Sequence, residues 1–460
     1  MLVLADDLGY GDLGCFGQKL IRTPHIDALA REGMRWTNWY ASSPECAPSR
    51  CSLLTGLHTG HAHVRANRQV GPESQEPLPP QSTTLAGELR KRGYVTGLVG
   101  KWALGGAASG SEPTQLGFDF FFGFLCQKQA HNHYPAYLWS SRGDASTRVP
   151  GSTLSKVMLE GNDPATRAEA VYSGDLFLKE AIEFIREHRD VPFFLEFATP
   201  NPHLALQIPD DALAEYRGKL PDEPYDGSSG YLPHPTPHAA YAAMVSRLDR
   251  DVGRLVALID ELGLAERTLV IVTSDNGPTF ERTGGADSAF FESAGGLRGL
   301  KGSVYEGGLR VPFVVRWPAH VKPGTTSEIP AAHYDLFPTL LRLAEVAPIR
   351  SDGVSLVNAF KDPSADVERE CLYFEYPGFG GQQAVRFGDI KAVRRNMHEG
   401  KGSIEIYDLR VDPRESNDIA DRSPDLVARA KALFAKHHRD SREFPFPAID
   451  TGTSEAAPAK

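Results

Sequence analysis

The chain has 460 residues, 41% hydrophobic and 23% charged, the balance of a globular protein whose core needs neither a disulfide framework nor a structural metal to hold it. With 59 acidic and 49 basic residues its formal charge is −10, so it lacks the general attraction to phosphate backbones on which nucleic-acid binding relies, and any anion site must be built locally. Five scattered cysteines exclude a disulfide scaffold, and no apolar run reaches the ~18 residues of a membrane span.

The opening Met1-Leu2-Val3-Leu4-Ala5-Asp6-Asp7 reads as a buried strand whose beginning is missing, not as a signal peptide. A truncated start is therefore expected; the compartment is left open, and a periplasmic or secreted form fits. Thr23-Pro24 starts a helix that Gly33 stops; Pro48 opens another over Ser49–Thr55, closed by Gly56; Thr84–Arg92 is a third, stopped by Gly93. Val95–Val99, Phe193–Ala198, Leu269–Thr273 and Val311–Arg316 are apolar runs, as expected of strands covered on both faces. His238–Leu262 carries Ala242, Val245, Leu248, Val252, Leu255 and Ile259 at helical spacing. This alternation predicts an α/β fold, a large doubly wound and mostly parallel sheet over residues 1–345. After a helix over Tyr334–Ala344 come short alternating strands at Leu372–Tyr376, Ala384–Phe387, Ile390–Arg394 and Ile404–Tyr407, with a Gly388-Asp389 turn and a helix over Pro424–His438. They predict a smaller C-terminal domain over 346–445, an antiparallel sheet plus a helix, and a flexible tail over 446–460. The irregular stretches Gly105–Pro150 and Pro202–Pro237 are loops of a size that serves a binding site.

Ligands of an open parallel sheet lie beyond the carboxyl ends of its strands. Four such ends carry Asp6-Asp7, Gly100-Lys101, Thr199-Pro200-Asn201-Pro202-His203 and Ser274-Asp275-Asn276-Gly277. Either acidic pair alone would be read as a turn cap; two pairs at strand ends form an oxygen ligand set for a hard divalent cation, of irregular geometry that suits Ca²⁺. Cys46 falls just before a helix N-terminus, where backbone N–H groups and the macrodipole favour an anion, and Arg50 lies a turn further on. A buried structural cysteine and a thiolate nucleophile remain open at this point. A cysteine phosphatase fits poorly, because Ser52 holds the place of its arginine.

Cys46-Ala47-Pro48-Ser49-Arg50 matches the C-x-P-S-R signature of the type I sulfatases of the alkaline-phosphatase superfamily. Ala5–Gly14 resembles that family's first metal segment, Ser274–Gly277 its second, Gly299–Gly302 with Glu306–Pro312 its lysine loop, and Tyr407-Asp408-Leu409 with Asp412, Pro413 and Glu415 its closing motif. The resemblance implies that a separate formylglycine-generating enzyme or anaerobic maturase oxidises Cys46 to formylglycine, whose gem-diol attacks sulfur. It implies one Ca²⁺ held by Asp6, Asp7, Asp275 and Asn276 with residue 46 as a further ligand. Arg50, Lys101 and Lys301 would neutralise the sulfate oxygens, and His203 or Lys301 would protonate the leaving alcohol. The implied activity is removal of sulfate from a monoester of a small molecule or glycan, a carbohydrate first of all. A phosphodiester or phosphonate monoester hydrolase of the same superfamily, or a non-catalytic relative that binds sulfated glycans, are the alternatives.

The sequence departs from the family at Ala103, where many members carry a histidine two residues after the lysine. His131 and His133 are the candidates to replace it. His58, His61, His63, Arg65, Asn67 and Arg68 form either a solvated loop or a sulfated-sugar subsite, for which Arg65 and Asn67 are the first choices. Tyr134, Tyr137 and Trp139 either stack on sugar or belong to the core.

Overall fold

The structure is a computed structural model that describes residues 1–142, 154–159, 162, 170–400 and 402–451. Among the described residues, ten strands form one mixed sheet in the order Thr325–Ser327, Met34–Trp36, Phe313–Arg316, Val270–Ser274, Leu2–Ala5, Phe193–Ala198, Val95–Lys101, Phe120–Phe124, Tyr137–Ser140 and Ser155–Met158. From Val270–Ser274 to Phe120–Phe124 the neighbours run parallel. Side chains alternate between two cores. Val3, Ala5, Val270 and Val272 share one with the helices Pro24–Glu32, Ser173–Glu187 and Pro237–Glu261. Leu2, Leu4 and Ile271 share the other with Cys46–Thr55, Leu85–Lys91 and Leu336–Leu343. Burial on both faces is why these strands read as unbroken apolar runs. Phe313–Arg316 runs antiparallel to both its neighbours; an apolar run carries no mark of its direction.

Helix starts are fixed by specific donors and acceptors. Thr84 caps Leu85–Lys91 by accepting the Gly87 N–H at 3.0 Å. Thr23 occupies the cap position of Pro24–Glu32, but its hydroxyl accepts from Gly14 N–H and donates to Asp27. The free N–H groups of His25 and Ile26 are met instead by Asp249, at 3.2 and 2.7 Å, from the long helix alongside. The cysteine helix begins two residues earlier than the proline alone indicates, so that Cys46 is its first residue.

A second sheet, Leu372–Tyr376, Gln382–Phe387, Ile390–Arg394 and Glu405–Asp408, is an antiparallel meander. Tyr373, Val385, Phe387, Ala392 and Ile406 pack on the helix Pro424–His437, while Leu372, Phe374, Tyr376, Ala384 and Val393 pack on Tyr40, Val304, Tyr305 and Leu309 of the larger body. Leu356, Ala359 and Phe360, ahead of this sheet, join the core of the large sheet. Of the expected tail, 446–451 is anchored, with Phe446 buried and Thr451 N–H donating to Asp440; 452–460 lie outside the described residues, as does the part of the 105–150 loop from 143 on.

Glu196 lies in the central strand Phe193–Ala198 at 2% exposure, and its Oε2 has no hydrogen-bond partner among the described residues. Burial pushes its carboxyl from the ordinary 4.5 to about 7, with Arg50 pulling the other way. A group whose folded pKa is raised contributes its full stability below the unfolded value and loses it as pH rises through the folded one. The fold is therefore expected to weaken between about pH 5 and about pH 8 by more than Glu196→Gln does, measured as the urea midpoint of each protein at both pH values. Parallel pH profiles would count against a neutral Glu196.

Candidate active site

The strand ends converge as their order dictates. Asp6 and Asp7 follow Leu2–Ala5, and Asp275 and Asn276 follow the adjacent Val270–Ser274. Backbone and side chains stitch the two turns together. Asp275 N–H donates to Ala5 O at 3.0 Å, Asp7 N–H to Asp275 Oδ1 at 3.2 Å, and Asn276 Nδ2 to Asp7 Oδ1 at 2.7 Å. Asp7 holds φ +62°, a left-handed conformation that carries strain in a residue with a Cβ.

Cys46 reaches the same place from the N-terminus of its helix. Its thiol donates to Asp6 Oδ1 at 3.5 Å, and Lys301 Nζ donates to the sulfur at 3.3 Å. Lys101, last residue of Val95–Lys101, places Nζ 2.5 Å from Asp6 Oδ2. Lys301 Nζ donates to both oxygens of Asp7, at 2.7 and 3.0 Å. Its loop is anchored by Lys301 N–H on Pro278 O and by Gly302 N–H on Pro44 O, two residues before Cys46. Arg50 is 2% exposed, and its guanidinium donates twice to Asp275 Oδ2, at 2.9 and 2.8 Å, and once to the Lys101 carbonyl. It clamps Asp275 to the end of the lysine strand.

His203 donates Nδ1–H to Leu204 O at 2.6 Å, which leaves Nε2 facing the cluster, 3.6 Å from Asp7 Oδ2. Its ring stacks on that of His131 at 4.7 Å. His133 is buried behind this pair; its Nε2–H donates to the His203 carbonyl at 3.1 Å, so it steadies the loop of His203 from outside the cluster. Ala103 is buried with φ +65°; of the two histidines proposed in its stead, His131 touches the ring of His203 and His133 its backbone carbonyl.

Charge organises the site. Burial alone would raise the Asp6 carboxyl, but Lys101, with His203, Arg50 and Lys301, holds it well below the usual carboxylate range. Burial and the neighbouring Asp6 push Asp275 up to about 6. Burial also lowers His203 well below the usual imidazole range, with Lys301 adding to it. The Cys46 thiol is pushed far up by burial, against the pull of Lys101 and Lys301. A reactive thiolate needs the opposite environment, which counts against an unmodified cysteine nucleophile.

The donor set offers a candidate metal site, in which His203 stands beside the expected Asp6, Asp7 and Cys46. Ligand atoms of Asp6, Asp7, Cys46 and His203 lie within 4.8 Å of one another. Asn276 Oδ1 is a buried acceptor without a hydrogen-bond donor, the state of an oxygen shaped for a metal ion.

Other candidates lie elsewhere. Arg65 is buried and bound to Glu375 Oε1 at 3.0 Å and to the carbonyls of Ala62 and Arg439; it is not among the groups around Cys46. Asn67 Oδ1 accepts from Ala47 N–H and from Gln127 Nε2, both at 3.0 Å, and so supports the cysteine helix. His61 pairs with Asp352 at 2.9 Å, and His58 Nε2 meets His437 Nδ1 at 3.3 Å. These groups tie the loop to the C-terminal part. Tyr134 and Trp139 are buried, and Lys156 covers the ring of Tyr137 at 3.6 Å. Sequence reasoning missed Glu45, which accepts the Asn67 N–H at 2.8 Å and bonds the hydroxyl of Tyr376; a glutamate before a helix carries no mark of such a role.

Comparison with known proteins agrees with this geometry. Residues 1–346 match the family model described as Sulfatase, and residues 300–437 match that of the N-sulphoglucosamine sulphohydrolase C-terminal region. The chain is 35% identical over 482 residues to arylsulfatase A of Homo sapiens, covering 94% of this chain and 86% of that protein. It is 33% identical over 454 residues to steryl-sulfatase of Mus musculus, covering 85% and 69%. The crystal structure of Ps i-CgsB in complex with k-i-k-neocarrahexaose superposes with a TM-score of 0.77 at 26% identity, covering 97% of this chain and 93% of that one.

Proposed function

The chain belongs to the type I sulfatases of the alkaline-phosphatase superfamily and is a sulfuric ester hydrolase; from that premise we propose that its substrate is a sulfated carbohydrate and that Cys46, matured to formylglycine, attacks it beside one Ca²⁺. The carrying observation is the meeting at Cys46 of three carboxylates and one ammonium group from strand ends, a second ammonium group from the Lys301 loop and one guanidinium from the cysteine helix itself. Binding of an oligosaccharide by Ps i-CgsB supports the sugar. Asp6, Asp7, Asp275 and Asn276 would hold the cation. When bound and matured, these groups supply charge neutralisation of the sulfate and a hydrated aldehyde in place of the thiol.

The remaining work falls to the chain itself. Lys101 and Lys301 present ammonium groups from two sides, and donors fixed in a buried site stabilise charge that develops on sulfate oxygens. Arg50 keeps Asp275 and the Lys101 strand end in place. Nζ of Lys301, an ammonium, can give a proton to the departing alcohol, and Nε2 of His203, left unprotonated by the bond from Nδ1, is the second nitrogen facing it. The buried ring of His203 and the half-buried ring of His131 stacked on it also limit water on that side.

The test compares nitrophenyl sulfate with nitrophenyl phosphate and a phenylphosphonate monoester, using protein made together with a maturing enzyme. Sulfate release is expected to be faster by at least about 100-fold, a difference of roughly 3 kcal/mol in transition-state binding. Removal of Ca²⁺ with a chelator is expected to lower it by a similar factor, and added Ca²⁺ to restore it. Faster phosphorus-ester cleavage, or a rate indifferent to the chelator, overturns the reading.

A further inference from the structure

Large apolar side chains left in water are informative when they cluster near a site. Phe379 is 59% exposed and holds φ +46°, in the turn that joins Leu372–Tyr376 to Gln382–Phe387. Its neighbours in that turn are Pro377, Gly378, Gly380 and Gly381, the last two with φ +84° and +77°. A left-handed phenylalanine costs roughly 1–2 kcal/mol against a glycine at the same place, and its exposed face gains nothing from burial. One face of the ring packs within the fold, and the other is left to water.

What the ring touches points to a ligand. Its neighbours are Phe280, with ring centroids 5.6 Å apart, and Tyr376, at 5.9 Å. Phe379 and Phe280 close over Gly302, where a Cβ would come within 2.9 Å of the first ring and 3.3 Å of the second. Gly302 follows Lys301, whose ammonium lies 3.3 Å from the Cys46 sulfur. The pair of rings thus packs on the residue next to the lysine that reaches Cys46. The register is held on two sides. Gln382 Nε2 donates to Gly302 O at 2.7 Å and its Oε1 accepts the Val304 N–H at 3.2 Å. Tyr376, three residues before Phe379, bonds Glu45, the residue before Cys46.

We propose that Phe379, backed by Phe280, is a stacking platform for a pyranose ring in the alcohol portion of the substrate, a binding site distinct from the one that holds the sulfate. An aromatic face pairs with the C–H face of a sugar through dispersion and burial, with no charge required. That complements the lysine-lined sulfate pocket beside it. The platform requires Gly302, since any side chain there fills the gap between the rings. This inference rests on the carbohydrate reading above and deepens it.

The test uses matured protein, nitrophenyl sulfate, and a panel of sulfated disaccharides released from chondroitin sulfate and from carrageenan. For the disaccharide that is hydrolysed, Phe379→Ala is expected to lower the ratio of its kcat/KM to that of nitrophenyl sulfate by at least about 10-fold, through KM, and Phe379→Trp to restore it. An unchanged ratio in Phe379→Ala overturns the platform and leaves the sulfatase reading standing. Turnover of nitrophenyl sulfate with no disaccharide cleaved overturns the platform together with the carbohydrate reading. Failure to cleave any sulfate ester marks the proposed function itself as wrong.

Discussion

Cys46→Ala is expected to abolish sulfate-ester hydrolysis, by more than about 10⁴-fold, while the protein unfolds within a few degrees of the unaltered chain. The size of the loss follows from the way such groups act as a unit: removing the attacking atom disables the donors around it as well. The stability should hold because the strong pairs of the cluster do not run through the sulfur. Asp6 keeps Lys101 at 2.5 Å, Asp7 keeps Lys301 at 2.7 Å, and Asp275 keeps both bonds from Arg50. Protein made without a maturing enzyme should be equally inactive, since burial keeps the thiol protonated and a poor nucleophile. Initial rates on nitrophenyl sulfate and a thermal melt check both halves. Residual activity within tenfold of the unaltered chain would place the nucleophile elsewhere.

The site was more legible than the fold's edges, for a physical reason. Residues with chemistry at the carboxyl ends of parallel strands have only one place to meet, so Asp6, Asp7, Lys101, His203, Asp275 and Asn276 could be gathered from apolar runs and their last residues. The strands Met34–Trp36, Thr325–Ser327 and Tyr137–Ser140 escaped notice because three or four residues are too few to carry a periodicity. Polar residues fared worst. Arg65 and Asn67 look like ligand contacts in sequence, yet their partners Glu375 and Gln127 lie 310 and 60 residues away, and nothing local announces a pair of that span. Phe379 escaped for the opposite reason: a single aromatic among glycines forms no pattern, and only its neighbours in space give it meaning.

The second large effect is expected from Lys391→Met, in the C-terminal sheet. Lys391 Nζ lies 2.8 Å from Glu306 Oε1 and 2.9 Å from Glu415 Oε1, and all three side chains are fully shielded from solvent. Glu306 also accepts from Tyr40 at 2.7 Å and from Arg310 Nε at 2.6 Å, and its N–H donates to Glu415 at 2.7 Å. Burial opposes the Glu306 carboxylate, but Arg310 and Lys391 hold it ionised; burial pushes Glu415 up to about 7 even with Lys391 beside it. Methionine keeps the volume and removes the charge, leaving Glu415 with no cation among these partners. Breaking a buried pair in this way destabilises by about 3–5 kcal/mol. Because Glu306 opens the helix directly after the Lys301 loop, kcat should fall along with stability. The sign of the pH dependence separates this account from loss of packing. Without Lys391 the Glu415 pKa rises further, so the variant's deficit in urea midpoint should shrink as pH falls from about 8 to about 5, where the carboxyl is neutral. Glu415→Gln added to Lys391→Met should recover part of the loss at the higher pH, as coupled neighbours do. A deficit that stays constant across this range, or a double variant no better than the single one, would assign the effect to packing alone.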